Sequence, residues 1–231
     1  MKGLTLILDL DGTLVDTAPD LIATANEMLR AMGAQPVDPE SGRLAAGHGA
    51  RRIIETALRD QRRALPREDR WADIIAGFIA IYRSRLARRS RPFDGMEEVL
   101  ATCRDKGVRL GICTNKRHDL AEELLAALGL RRFFSAVVGG DSTARGKPDP
   151  MPVLHGISRC GGAAGRALMV GDSMSDIQAA RAAGVTSVLA GWGYLDRPAA
   201  AFQADYALSS PAAILSLLRH VARGRAVGER G

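Results

Sequence analysis

Aromatic residues make up only 4% of the 231 positions, and there are just three cysteines. With so few rings, the interior has to be built mainly from Leu, Ile, Val and Ala. Cys103, Cys113 and Cys160 lack the spacing of metal-ligand pairs, and an odd number cannot all pair, so they read as small core residues in a reducing compartment. No apolar run approaches the roughly 18 residues that a membrane-spanning helix needs. The opening MKGLTLILDLDG holds one short apolar run that ends in carboxylates, without a small-residue cleavage site. Neither a membrane span nor a signal peptide is expected, and a cytoplasmic location is. Internal repeats are also lacking.

What is present is the balance of a globular protein, 46% hydrophobic and 25% charged, in a chain long enough for one full domain with an insertion. The net charge is +6, but the basic residues are scattered along helical stretches instead of gathered beside stacking aromatics. This is the pattern of a solvated arginine-rich surface, which favours anionic small molecules and argues against a nucleic-acid partner. A monomer or homodimer is expected.

Short apolar runs at LTLILDL, RLGICTN, AVVGG, ALMVGD and TSVLA, between residues 4 and 190, are each followed by a loop and then by helical periodicity. That alternation predicts parallel strands joined by crossover helices, a doubly wound, Rossmann-like α/β sheet. Helical stretches are predicted over 95–106, 117–128 and 173–183, the first and last closed by Gly107 and Gly184. From about Pro19 to Arg89 the pattern is amphipathic and helical with no convincing strand, too long for a bare connection. The expected organisation is an α/β core over 1–17 and 91–222, an all-helical cap over 18–90 inserted after the first strand, and a flexible tail over 223–231. An insertion at that point lies at the carboxyl end of a strand, where open α/β sheets place their ligand crevice. It is expected to act as a lid.

The first run ends in Asp9-Leu10-Asp11-Gly12-Thr13. Alternate positions of an extended chain share a side, so two carboxylates are brought together, an arrangement that calls for a cation or a proton. The same residues also suit a simple turn. The run ending at Gly171-Asp172-Ser173-Met174-Ser175-Asp176 offers two more hard oxygen ligands of the kind magnesium takes, although Asp172 or Ser173 also serves as a helix N-cap. Cys113-Thr114-Asn115-Lys116 presents a hydroxyl, an amide and a helix start to an anion. Lys147, in Gly146-Lys147-Pro148-Asp149-Pro150, adds a cation from a stiffened loop. A lone loop lysine is usually solvated; what gives the four segments weight is that each falls after a predicted strand, where one crevice collects them.

In this order DLDGT, CTN, GKPDP and GDSMSD resemble the four motifs of the haloacid dehalogenase-like phosphatases, and the likeness covers nearly the whole chain. It implies that Asp9 is a nucleophile forming an aspartyl phosphate and Asp11 the general acid and base. Thr114, Asn115 and Lys147 would hold the phosphoryl group. Magnesium would be bound by Asp9, Asp172 and the backbone carbonyl of Asp11, with Asp176 supporting the metal and orienting Lys147. An acid at position 11 speaks against dehalogenation. The cap segment Ala46-Gly47-His48-Gly49-Ala50-Arg51-Arg52, with Gly139-Gly140-Asp141-Ser142 and Gly191-Trp192-Gly193-Tyr194, resembles the phosphoglycolate phosphatases. That implies a phosphomonoesterase acting on a small phosphorylated acid, 2-phosphoglycolate above all, with His48 and Arg51 in substrate binding. Arg51 and Arg52 also read as exposed helix residues, and His48 as a surface side chain. Another small phosphomonoester (a sugar phosphate, nucleotide or pyrophosphate) and a phosphomutase of the same fold are the alternatives, whereas a phosphate-binding module without catalysis would not need both Asp9 and Asp11.

Overall fold

The computed structural model describes residues 1–224, so the expected tail lies, from residue 225 on, outside the described residues. The chain divides into two compact units, residues 1–14 with Pro92 onward, and Val15–Arg91. In chain order the strands are β1 Thr5–Leu8, β2 Val15–Asp16, β3 Arg91–Pro92, β4 Arg109–Cys113, β5 Ala136–Val138, β6 Ala167–Gly171, β7 Thr186–Ala190 and β8 Tyr206–Leu208. The α-helices are α1 Ala18–Ala31, α2 Pro39–Ala46, α3 Ala50–Asp60, α4 Trp71–Arg83, α5 Met96–Asp105, α6 His118–Ala127, α7 Met151–Arg159, α8 Met174–Ala182 and α9 Ala213–Gly224.

The first unit is built on a six-stranded sheet in the order β5-β4-β1-β6-β7-β8, with every pair parallel. Parallel sheets are covered on both faces, which is why β1 and β6 are buried at every position and apolar except at Thr5. Helices α7 and α8 cover one face, where Ile7, Cys113 and Met169 pack with Val153, Ile157, Ala179 and Ala180. Helices α5 and α6 pack against β4 and β5, and α9 packs on α5. The five apolar runs appear as β1, β4, β5, β6 and β7. Strand β8, whose Ala207 is exposed, carries too little apolar pattern to be seen in the sequence.

The order of the strands positions the chemistry. From β1 the chain goes through the second unit to β4 and then β5, and afterwards returns to the other side of β1 as β6. Strand β1 is therefore flanked by β4 and β6, with Leu8 in register with both Ile112 and Val170. Asp9, Thr114 and Asp172 each follow directly at the carboxyl ends of these three central strands. The backbone N–H of Asp9 donates to the Val170 carbonyl and that of Thr114 to the Val138 carbonyl, both at 2.9 Å, so ladder bonds hold the two residues in place.

The second unit is all helical apart from its end strands. Helices α1 to α4 pack on one another around Leu21, Ala25, Leu29, Ile53, Ile54, Trp71, Phe78 and Tyr82. Asp20, almost wholly buried on α1, accepts hydrogen bonds from the N–H groups of Arg89 and Ser90 and from the Ser90 hydroxyl, at 2.8 to 2.9 Å. It thereby ties the start of the unit to its end. Among the described residues no helix is long and apolar enough to cross a membrane, and all three cysteines are buried and free.

Candidate active site

Asp9, Thr114, Lys147, Asp172 and Asp176 come together in the first unit, all of them buried. Lys147 lies at the centre. Its Nζ donates to Asp176 Oδ1 at 2.5 Å and to the Cys113 carbonyl at 2.8 Å, and stands 2.9 Å from Asp9 Oδ1. The last contact misses hydrogen-bond geometry, so Asp9 Oδ1 is a buried oxygen with an ion-pair neighbour and no aligned donor. Burial disfavours the Lys147 charge, but Asp176 and Asp9 outweigh it and hold the ammonium protonated, its pKa raised.

The loop that carries Lys147 is clamped by Asn115. The Asn115 side chain accepts from the Lys147 N–H and donates to the Lys147 carbonyl, each at 2.9 Å. Expected as a substrate contact, Asn115 is seen with its amide turned to the backbone of the residue that holds the charge. Gly139 and Gly140 lie against His118 and Asn115 so closely that a Cβ on either would stand 2.4 Å from backbone atoms, which explains the GGDS stretch as packing behind the Thr114 loop.

Asp172 accepts from the Thr13 hydroxyl at 3.0 Å and from the Tyr194 N–H at 2.8 Å. Gly12, at φ +80°, is pressed against it: a Cβ there would stand 2.2 Å from Asp172 Oδ2. Asp176 Oδ2 accepts from both the N–H and the hydroxyl of Ser173, the N-cap of α8. The capping and ligand readings of this segment are thus not exclusive, because Ser173 caps while Asp172 and Asp176 point toward Lys147 and Asp9. Thr13, Ser173, Tyr194 and Lys116 belong to the site as much as the expected residues. Lys116 stands two positions after Thr114 in the sequence, and only its place at the end of a predicted anion-binding turn marks it.

Ligand oxygens of Asp9, Asp172 and Asp176 all lie within 4.8 Å of one another. Burial raises the Asp9 carboxyl from its ordinary 3.8 to about 6, with Lys147 opposing and Asp176 and Asp11 adding to the rise. Asp172 is raised well above the ordinary range by burial and then by Asp9 and Asp176. Three buried acids against one lysine leave an excess of negative charge, and Asp9 Oδ1 has no aligned donor. The residues therefore fit a hard divalent cation with oxygen ligands. The Asp11 side chain is not part of this group; its two oxygens lie 3.0 and 3.2 Å from Lys116 Nζ.

In the second unit His48 and Gly49 lead into α3, whose second residue is Arg51. Arg51 is already engaged: Nε donates to Glu55 at 2.8 Å, the two terminal nitrogens to both oxygens of Glu68 at 2.7 and 2.8 Å, and the guanidinium lies 4.6 Å from the centre of the Trp71 ring.

Fold and site together define a doubly wound α/β protein with an acidic cluster at the carboxyl ends of its central strands. Over residues 6–190 the sequence matches the model of the haloacid dehalogenase-like hydrolases, and the chain belongs to that family. It is 39% identical over 222 residues to the phosphoglycolate phosphatase of Caulobacter vibrioides, covering 94% of this chain and 93% of that one. It is 40% identical over 212 residues to the phosphoglycolate phosphatase of Agrobacterium fabrum, covering 92% and 91%. Among solved structures it resembles a predicted phosphoglycolate phosphatase from Haemophilus somnus 129PT at a TM-score of 0.85 and 29% identity, covering 94% and 98%. It also resembles CbbY from Rhodobacter sphaeroides in complex with phosphate, at 0.75 and 27%, covering 92% and 96%.

Proposed function

We propose that this hydrolase is a magnesium-dependent phosphomonoesterase that removes phosphate from 2-phosphoglycolate through a phosphoryl group carried on Asp9. The observation that carries the reading is the placement of Asp9: a carboxylate at the end of the central strand, buried, with one oxygen lacking an aligned donor and Lys147 2.9 Å away. A buried carboxylate exposed on one side to a fixed cation suits attack on an anionic group, since the cation offsets the charge of both partners. The names of the relatives in Caulobacter vibrioides and Agrobacterium fabrum support 2-phosphoglycolate as the substrate.

In this reading Asp9 Oδ attacks phosphorus, and the bond to the ester oxygen breaks. Asp11 gives a proton to the departing alkoxide and then takes one from the water that cleaves the aspartyl phosphate, restoring Asp9 and releasing phosphate. Thr114 and Lys147 hold the phosphoryl oxygens, and Asp176 and Asn115 hold Lys147. Asp9, Asp172 and the Asp11 carbonyl would bind magnesium, near Asp176; when bound, the ion offsets the charge that builds on the transferring group. His48 and Arg51 are the helical unit's candidates for substrate contact, and for Arg51 that role means releasing Glu68.

The test is a phosphate-release screen over small phosphorylated acids, sugar phosphates, nucleotides and pyrophosphate, with magnesium and with chelator. Release from 2-phosphoglycolate that is fastest in the set and abolished by chelator is expected. A sugar phosphate at the head of the set would replace the substrate assignment, and phosphate transferred to a second sugar position instead of to water would replace hydrolysis with mutase chemistry.

A further inference from the structure

Lys116 is the one residue of the Thr114 turn whose position the chemistry above does not use. Its side chain is 6% exposed and Asp11's is 16% exposed, with Nζ 3.0 and 3.2 Å from the two Asp11 oxygens. Its backbone N–H donates to the Thr114 hydroxyl at 3.2 Å, so the residue is pinned at both ends to groups with assigned roles. A lysine that served only solubility would extend its ammonium into water; this one is folded in.

We propose that Lys116 determines substrate choice by receiving the carboxylate of the phosphorylated acid. The inference rests on the reading of Asp11 as the group that meets the ester oxygen. In 2-phosphoglycolate a single CH2 separates that oxygen from the carboxylate, so a cation in direct contact with Asp11 lies next to where the carboxylate must come. The other cations of the site region are committed elsewhere. Lys147 is held by Asp176, Asp9 and the Cys113 carbonyl, and Arg117 lies along Asp119. An ammonium offers three donors on one centre and has no planar geometry to satisfy. It can therefore keep one bond to Asp11 while giving another to a substrate carboxylate. The ligand class is thus a phosphate monoester with an anionic group one carbon from the ester oxygen. A neutral group at that point offers the ammonium no second anion beside Asp11, and an amine opposes it.

The experiment compares kcat/KM for 2-phosphoglycolate, ethyl phosphate and O-phosphoethanolamine in the wild-type enzyme and in Lys116→Met and Lys116→Arg. In the wild type the expected order is the carboxylate, then ethyl, then the amine. In Lys116→Met the preference for 2-phosphoglycolate over ethyl phosphate falls roughly 10- to 100-fold, mostly through KM, the size of one charged hydrogen bond. Lys116→Arg keeps most of the preference. Equal losses on both esters in Lys116→Met would show that Lys116 only positions Asp11 and would overturn the proposal. So would a wild-type enzyme that takes ethyl phosphate as well as 2-phosphoglycolate, a result that depends on no variant being folded. Failure of the wild type on every ester would instead overturn the phosphatase reading.

Discussion

Lys147 is held by Asp176, Nζ to Oδ1 at 2.5 Å, with both side chains withdrawn from solvent. The pair joins the loop before α7 to the first turn of α8, and it places a cation 2.9 Å from Asp9 that no other residue orients in the same way. Replacing Asp176 by Asn should lower kcat by roughly 10²- to 10³-fold, as the loss of a preorganised charge contact does. It should also cost on the order of 3 kcal/mol of stability, since one partner of a buried ion pair is removed. Lys147→Ala combined with Asp176→Asn should be far less than additive in kcat. Steady-state kinetics and chemical denaturation of the single and double variants check this.

Asp9→Asn should abolish turnover and, with magnesium removed, raise thermal stability at pH 7.5. The Asp9 carboxyl is raised from 3.8 to about 6 by burial, so its protonated form is the one the fold prefers. The sign follows: its contribution to stability is complete below pH 3.8 and is lost as the pH rises through about 6. At pH 7.5 the neutral amide removes a disfavoured charge, worth on the order of 1–3 kcal/mol. Thermal unfolding in chelator at pH 7.5 and pH 4 measures it, with the difference between variant and wild type expected to shrink at the lower pH.

Metal and proton compete for the same acid cluster. Magnesium takes the ionised carboxylates, so its affinity should fall as the pH drops through about 6, where Asp9 takes a proton, and the raised Asp172 adds to the fall. Calorimetric titration of the chelator-treated protein with magnesium between pH 5 and pH 8 reads this directly.

Asn115 acts through Lys147, to whose backbone it gives and from which it accepts a bond. Asn115→Ala should lower kcat by roughly tenfold and cost about 1–2 kcal/mol of stability, two hydrogen bonds of ordinary size. Asn115→Asp, which keeps only the acceptor, should fall between.

The doubly wound sheet and the helical insertion were legible in the sequence because β1, β4, β6 and β7 are runs of buried apolar residues with polar ends. That pattern needs no tertiary information to read. Asp9, Asp11, Thr114, Lys147, Asp172 and Asp176 stood out for a related reason, since each follows an apolar run or, for Lys147, lies in a proline-stiffened loop. What the sequence did not disclose was partnership. That Asn115 serves Lys147, that Glu68 fills the fork of Arg51, and that Lys116 folds back onto Asp11 are contacts across 32, 17 and 105 positions. Local pattern carries no trace of such pairings. Strand β8 escaped for a different reason: three residues at the edge of a sheet, none of them buried, have almost no period to detect.

The central claim is that Asp9 carries the phosphoryl group, and the most direct measurement is mass spectrometry of the enzyme quenched in acid during turnover of 2-phosphoglycolate with magnesium. The account predicts one added phosphoryl group on the peptide containing Asp9, absent in Asp9→Asn and absent in chelator. A phosphoryl group on any other residue, or rapid turnover with none trapped on Asp9 at any quench time, would contradict it.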